Sequence, residues 1–186
     1  MTHVGYVMAT GFATTVVAVT AFAPMPPVLF WNGTASVPVG LYAVVPADRL
    51  EVDDLVAAAA PAALARLLDE RGYLPAGVPL LKRVAALPGQ CVCRLRGAIT
   101  VDGIAIGTAL EHDRLGRNLP RWSGCRVVAA GELFLMNPQV RDSLDGRYFG
   151  PVPASAVIGR ALPLYTDEGG DGRFVWRAPM RTAAHP

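Results

Sequence analysis

Apolar and polar positions divide the chain into two unequal parts. Val4 to Ala23, VGYVMATGFATTVVAVTAFA, is a run of twenty uncharged, mainly apolar residues, about the length needed to cross a hydrocarbon core of roughly 30 Å. The run predicts an N-terminal transmembrane helix, with residues 1–23 as a membrane anchor. Two alternatives compete with it. A cleaved secretory leader is suggested by the small-x-small Ala21-Phe22-Ala23, but no basic segment precedes it and Pro24 would follow the cut. A buried core helix would need an enclosing domain that so short a chain hardly supplies. Pro24, Pro26 and Pro27 stop the helix and form a short stiff spacer.

Residues 24–186 read as one mainly β domain, antiparallel, with a single short inserted helix. Leu41–Val45 and Leu80–Ala85 are short apolar or alternating runs, and Glu132–Met136, Ala156–Tyr165 and Arg173–Arg177 supply further strands. Asp102-Gly103, set between Ile99-Thr100-Val101 and Ile104-Ala105-Ile106, marks a two-residue hairpin. The exception to strand patterning is PAALARLLDERG, Pro61 to Gly72. Proline at the start, Leu64, Leu67 and Leu68 at helical spacing and glycine at the end predict an amphipathic helix between strands. The last residues, APMRTAAHP, read as a frayed tail.

Composition narrows the class. At 186 residues the chain holds one ordinary domain and an appendage. The formal charge is +2, and 17 basic and 15 acidic residues are intermixed from Asp48 onward, so no basic stripe points to nucleic acid as a partner. No Lys or Arg flanks the apolar run to encode its orientation. Trp31, with Phe30, suits the headgroup level just beyond a span, which would keep the neighbouring Ser36 near the lipid surface.

The candidate chemistry centres on that serine and one lysine. Ser36 lies in G-T-A-S-V-P, not in a G-x-S-x-G elbow, and no lysine stands three residues after any serine. His3, His112 and His185 fall near the start, in a polar loop and in the tail, which argues against a histidine triad. Lys82 is the one lysine beside sixteen arginines, and strand alternation places Leu80 and Val84 on its face. Arginine keeps its proton, whereas full burial lowers a lysine pKa from near 10.4 by about 3 to 5 units and frees an amine to act as a base. The plain alternative is a solvated lysine at a strand end.

Three separated blocks resemble the signal peptidase I group of serine peptidases, which use a Ser-Lys dyad. In T-A-S-V-P, Ser36 matches the nucleophile, and Thr34 matches the hydroxyl residue that, with the backbone at Ser36, helps form the oxyanion hole. LLKRVAALPGQ is similar to the block carrying the general base, so Lys82 takes that role. DSLDGRYFGPVP is similar to the S-x-D-S-R block; Ser143 matches the serine that hydrogen-bonds the lysine, and Asp145 and Arg147 match a structural ion pair. Three departures stand out: Val37 replaces the usual methionine, Met136-Asn137-Pro138 replaces G-D-N, and Gly146 replaces the second serine of the last block.

The N-x-T-x-S-x-P-x-G-L-Y frame, the RGYL run at Arg71 to Leu74 and the stretch from Arg117 to Cys125 resemble, within the family, conjugative-transfer peptidases of the TraF type. The resemblance implies a serine endopeptidase of the inner membrane with its catalytic domain in the periplasm. It implies a precursor pilin, or another signal-bearing protein, as substrate, matured or cyclised, and no cofactor or metal. The competing readings are a non-catalytic anchored β-module of a secretion apparatus, and a self-cleaving Ser-Lys regulator, against which the anchor and the lack of a DNA-binding segment count.

Cys91 and Cys93 share a strand face, so either suits a disulfide with Cys125 in an exported domain. The resemblance favours Cys93 with Cys125, leaving Cys91 free. Zinc held by the three cysteines with His112 is the sharper alternative, at poor C-x-C spacing, and reduced buried cysteines the plainer one. Asn32-Gly33-Thr34 is a glycosylation sequon by pattern alone.

Overall fold

The computed structural model describes residues 3–22 and 29–179, with the side chains of residues 19–22 left out. The expected spacer, the boundary between residues 23 and 24 and most of the tail lie outside the described residues, although Ala178, assigned to that tail, is buried. Helix α1 spans His3–Phe22 and carries no acidic residue in its first turn and no basic one in its last. The hydroxyls of Thr10, Thr14 and Thr15 donate to the carbonyls of Tyr6, Thr10 and Gly11, four residues back, which satisfies them without solvent. Among the described residues, no helix is long and apolar enough to cross a membrane.

The rest is mainly antiparallel β structure. In chain order the elements are β1 (Leu29–Asn32), β2 (Val39–Val45), β3 (Leu55–Ala58), α2 (Ala62–Glu70), β4 (Leu80–Ala86), β5 (Cys91–Leu95), β6 (Ala98–Val101), β7 (Ile104–Thr108), β8 (Gly124–Val127), β9 (Glu132–Met136), α3 (Gly146–Phe149), β10 (Val152–Pro153), a 3₁₀ turn at Ala154–Ala156, β11 (Val157–Asp167) and β12 (Val175–Trp176). The large sheet runs β1-β2-β11-β3-β4-β9-β10, with β12 also pairing β11, and the small one runs β7-β6-β5-β8. One inserted helix was expected; α3 adds a second, of four residues, because the Asp145 side chain accepts from the Arg147 N–H and caps it. The expected strand Arg173–Arg177 shrinks to Val175–Trp176.

Both faces of the large sheet are covered. Leu55, Ala57 and Leu81 point to one side with Val37, Tyr42, Val44 and Ala161, while Val56, Ala58 and Val84 pack on the other with Leu133, Leu135 and Val152. Strand β3 is therefore buried at all four positions. Gly40 permits the close approach of β2 to β11, since a Cβ there would lie 2.2 Å from the Tyr165 carbonyl oxygen. The small sheet closes over Ala86, Phe134 and Met136 with Val92, Ile99 and Val101. Its Asp102-Gly103 turn has positive φ at both residues, as a type I′ hairpin requires. Helix α2 buries Leu64 and Leu68 against Leu80 of β4, beside the site.

Candidate active site

The turn between β1 and β2 carries Ser36, and the buried side chain of Asn32 shapes it. Asn32 Nδ2 donates to the carbonyls of Thr34 at 2.8 Å, Pro38 at 3.1 Å and Val37 at 3.2 Å. Its Oδ1 accepts the Thr34 N–H at 3.1 Å and the Thr34 hydroxyl at 2.8 Å. An amide consumed in this way is closed to glycosylation, which removes the sequon reading. The Tyr42 hydroxyl donates to the Pro38 carbonyl at 2.7 Å and fixes the far end of the turn. Ser36 Oγ lies 3.3 Å from Thr34 Oγ1. With the Thr34 proton directed at Asn32, the Thr34 oxygen is free to accept from Ser36; serving an oxyanion would require this hydroxyl to rotate.

Lys82 stands in the middle of β4, paired with Val56 of β3, and is only 4% exposed. The solvated lysine of the plain alternative is thereby excluded. Nζ donates to Ser143 Oγ at 3.0 Å. Burial lowers the Lys82 pKa from 10.5 to about 8; the Asp145 carboxylate pulls it up and the Arg147 guanidinium pushes it down.

Behind Ser143 lies the ion pair. Arg147 donates through Nε to Asp145 Oδ1 at 2.8 Å and through Nη2 to Oδ2 at 2.7 Å, and both side chains are buried. Further guanidinium protons go to the carbonyls of Val140 and Arg141 at 2.6 and 3.1 Å. Gly146, where the resembled block has serine, leaves no room for more: a Cβ there would lie 2.6 Å from the Phe134 ring and 2.8 Å from the Leu135 carbonyl oxygen.

Thr34, Ser36, Lys82 and Ser143 line one cavity of about 270 Å³. Its apolar walls include Phe30, Leu68, Tyr73 and Leu81, and its rim holds the ion pair of Arg114 with Asp142. Ser36 and Lys82 face this space together, but the described hydrogen bonds join Ser36 to Thr34 and Lys82 to Ser143, not the two to each other. Trp31, expected at a headgroup level, is exposed and stacks on Phe174 with ring centroids 6.0 Å apart.

The cysteines sit apart, in the small sheet. Cys93 faces Cys125 across β5 and β8 and is joined to it by a disulfide, with Cys91 free. The sulfurs of Cys91, Cys93 and Cys125 all lie within 4.8 Å of one another, but two of them are joined as the disulfide, and His112 belongs to a separate loop where it bridges Asn118. Two side chains that shape the site escaped the sequence reading: Asn32, noticed only in a sequon and a motif frame, and Asn137, noticed only within a departure. Asn137 Nδ2 donates to the carbonyls of Ser36 at 2.8 Å and Leu81 at 3.2 Å.

A model of the signal peptidase, peptidase S26, family matches residues 2–165. A conjugal transfer protein TraF of Agrobacterium fabrum strain C58 is 38% identical over 145 residues, covering 73% of this chain and 81% of that one. A probable conjugal transfer protein TraF of Sinorhizobium fredii is 39% identical over 145 residues, with coverage of 73% and 76%. A plasmid transfer protein TraF of Escherichia coli is 30% identical over 147 residues, with coverage of 74% and 76%. The chain belongs to the signal peptidase S26 family of serine peptidases.

Proposed function

We propose that this chain is a membrane-anchored serine endopeptidase that works through a Ser36–Lys82 dyad on exported precursors, maturing or cyclising a conjugative pilin precursor. The observation that carries the reading is Lys82: the one lysine of the chain is buried, holds a pKa lowered to about 8 and donates to Ser143 in the cavity that Ser36 lines. A buried amine that sheds its proton near neutral pH is a competent base, and a hydroxyl that accepts its hydrogen bond orients the lone pair.

In the reaction, neutral Lys82 takes the Ser36 proton and the alkoxide attacks the substrate carbonyl, giving a tetrahedral oxyanion that collapses to an acyl-enzyme as the C–N bond breaks and the amine leaves. The Ser36 N–H and the rotated Thr34 hydroxyl stabilise the oxyanion. Lys82 then protonates the leaving amine. Water resolves the ester to a linear product, or the substrate's own amine resolves it to a circular one. The missing Ser36–Lys82 hydrogen bond is compatible with this course, because catalytic contacts often tighten only with substrate bound. The relatives' names, all proteins of conjugal or plasmid transfer, support a role in conjugation. The exposed apolar side chains of α1 and the paired hydroxyls of Thr10, Thr14 and Thr15 support an anchor in lipid, and we place that anchor in the inner membrane with the domain in the periplasm.

The test is to incubate precursor pilin with membranes carrying wild type, Ser36→Ala or Lys82→Ala and to weigh the products. Processing that disappears in both variants supports the dyad, and processing unchanged in either one ends it. Linear and circular products differ by one water.

A further inference from the structure

We propose, on the reading that Ser36 and Lys82 react together, that Asn137 is the positioning residue that holds the serine turn and the lysine strand in one frame. The side chain is 4% exposed. Besides donating to the Ser36 and Leu81 carbonyls, it accepts the Arg83 N–H at Oδ1, 3.1 Å away. Leu81 and Arg83 flank Lys82, and their two backbone groups point to the same edge of β4. Pairing between β9 and β4 ends at Met136, which stands opposite Arg83. The next side chain, Asn137, therefore stands in for a strand partner, with one donor and one acceptor on either side of the lysine.

Asn137 is itself held through its backbone. Its N–H donates to Asp145 Oδ2 at 3.1 Å and its carbonyl accepts from Arg147 Nη2 at 3.3 Å. The buried ion pair thus fixes Asn137, and Asn137 fixes the two reacting segments. The bonds made by Asn32 and Tyr42 act differently, because they stay within the turn or reach only its own following strand; they set its shape but not its distance from Lys82. Among the described residues, Asn137 is the one side chain bonded both to the Ser36 turn and to the backbone beside Lys82. A displacement of about 1 Å between reacting groups costs on the order of a hundredfold in rate, so the frame matters to turnover more than to substrate affinity.

The experiment uses the full chain in detergent micelles, labelled with ¹³C,¹⁵N-lysine. Since Lys82 is the only lysine, its side chain gives one titrating signal. Two variants are compared with wild type: Asn137→Ala, and Asn137→Asp, which keeps the volume and the acceptor but loses both donors. Each is expected to lower kcat for precursor pilin about 10- to 100-fold with KM within about twofold, and to move the Lys82 titration up by about one pH unit as water or charge reaches the amine. A residue that mattered only to folding would lower Tm and leave the titration and kcat of the folded protein alone. A folded variant, judged by near-UV circular dichroism, that keeps both the wild-type kcat and the wild-type Lys82 titration overturns the proposal. Failure of the dyad itself would show separately, as precursor processing that persists in Ser36→Ala, while the lysine signal continues to report the frame.

Discussion

Two cations are buried close together, and their surroundings are opposites. Arg147 is wrapped: a bidentate carboxylate, the carbonyls of Val140 and Arg141 and longer contacts to Asn137 and Ser143 take up its donors. Among the described residues, Lys82, 4% exposed, is left with one side-chain partner, the hydroxyl of Ser143. Burial with one neutral acceptor pushes the Lys82 ammonium toward losing its proton. On the proposed function, the difference separates a structural cation from the base. The polar core gives its strong acceptors to Arg147 and withholds them from Lys82.

The sharpest way to break the contrast is to remove the enclosed cation. Arg147→Met leaves Asp145 buried without its counter-ion and takes a donor from the Arg141 carbonyl, while the Val140 carbonyl keeps the Ser143 N–H. Breaking a buried pair on one side costs about 3–5 kcal/mol. For a chain of this length that lowers Tm by on the order of 10 °C. Urea unfolding of the purified protein measures it, and a loss under about 1 kcal/mol would mean that water already reaches the pair.

Removing the other cation has the opposite sign. Holding Lys82 at about 8 instead of 10.5 costs the fold on the order of 3 kcal/mol at neutral pH. Lys82→Met is therefore expected to stabilise the domain at pH 7 by about 2 kcal/mol, after about 1 kcal/mol is lost for the orphaned Ser143 hydroxyl. The gain depends on pH. Between about 8 and 10.5 the unfolded lysine still holds a proton that the folded one has given up, so the unfolded chain binds more protons and raising the pH favours the fold. The stability of the wild type should accordingly rise across that window, and the advantage of the methionine variant should vanish by its upper end. Urea titrations at pH 7 and pH 10.5 check both statements. An equal gain at both would mean that packing, not charge, explains it.

How much of this was legible in the sequence follows from where each signal resides. The Asp102-Gly103 hairpin, the Pro61–Gly72 helix and the strand Glu132–Met136 carry local punctuation or pattern, and each is found in place. Strand β3 was missed because Leu55–Ala58 runs into AAAA and is buried on both faces, so nothing alternates; β4 and β11 decide its conformation from either side. Strand β8 is exposed at three of its four positions and is tied to β5 by Cys125 instead of by apolar pattern. In the site, Lys82 stood out because it is unique and Ser36 because of its frame. Asn137 could not, since an asparagine is common in loops and its meaning here lies in partners 101 and 56 residues away.

The smallest expected effect isolates the one contact that Lys82 does have. Ser143→Ala removes the acceptor of the Nζ bond while leaving the ion pair behind it intact. Stability at pH 7 should fall by about 1.5 kcal/mol, the low end for a bond to a charged group. Turnover should fall further, about 10- to 100-fold in kcat, because an amine free to rotate presents its lone pair to Ser36 less often. The pH profile gives the direction. In the wild type, processing should rise through about pH 8 as Lys82 loses its proton. The Ser143 hydroxyl accepts from the protonated amine and so favours the charged form; without it the charged form is less stable and the ascending limb moves to lower pH. A limb that moves instead to higher pH would mean that water fills the space left by the hydroxyl and solvates the ammonium better than the serine did, and the contrast with Arg147 would then rest on enclosure alone and not on the choice of acceptor.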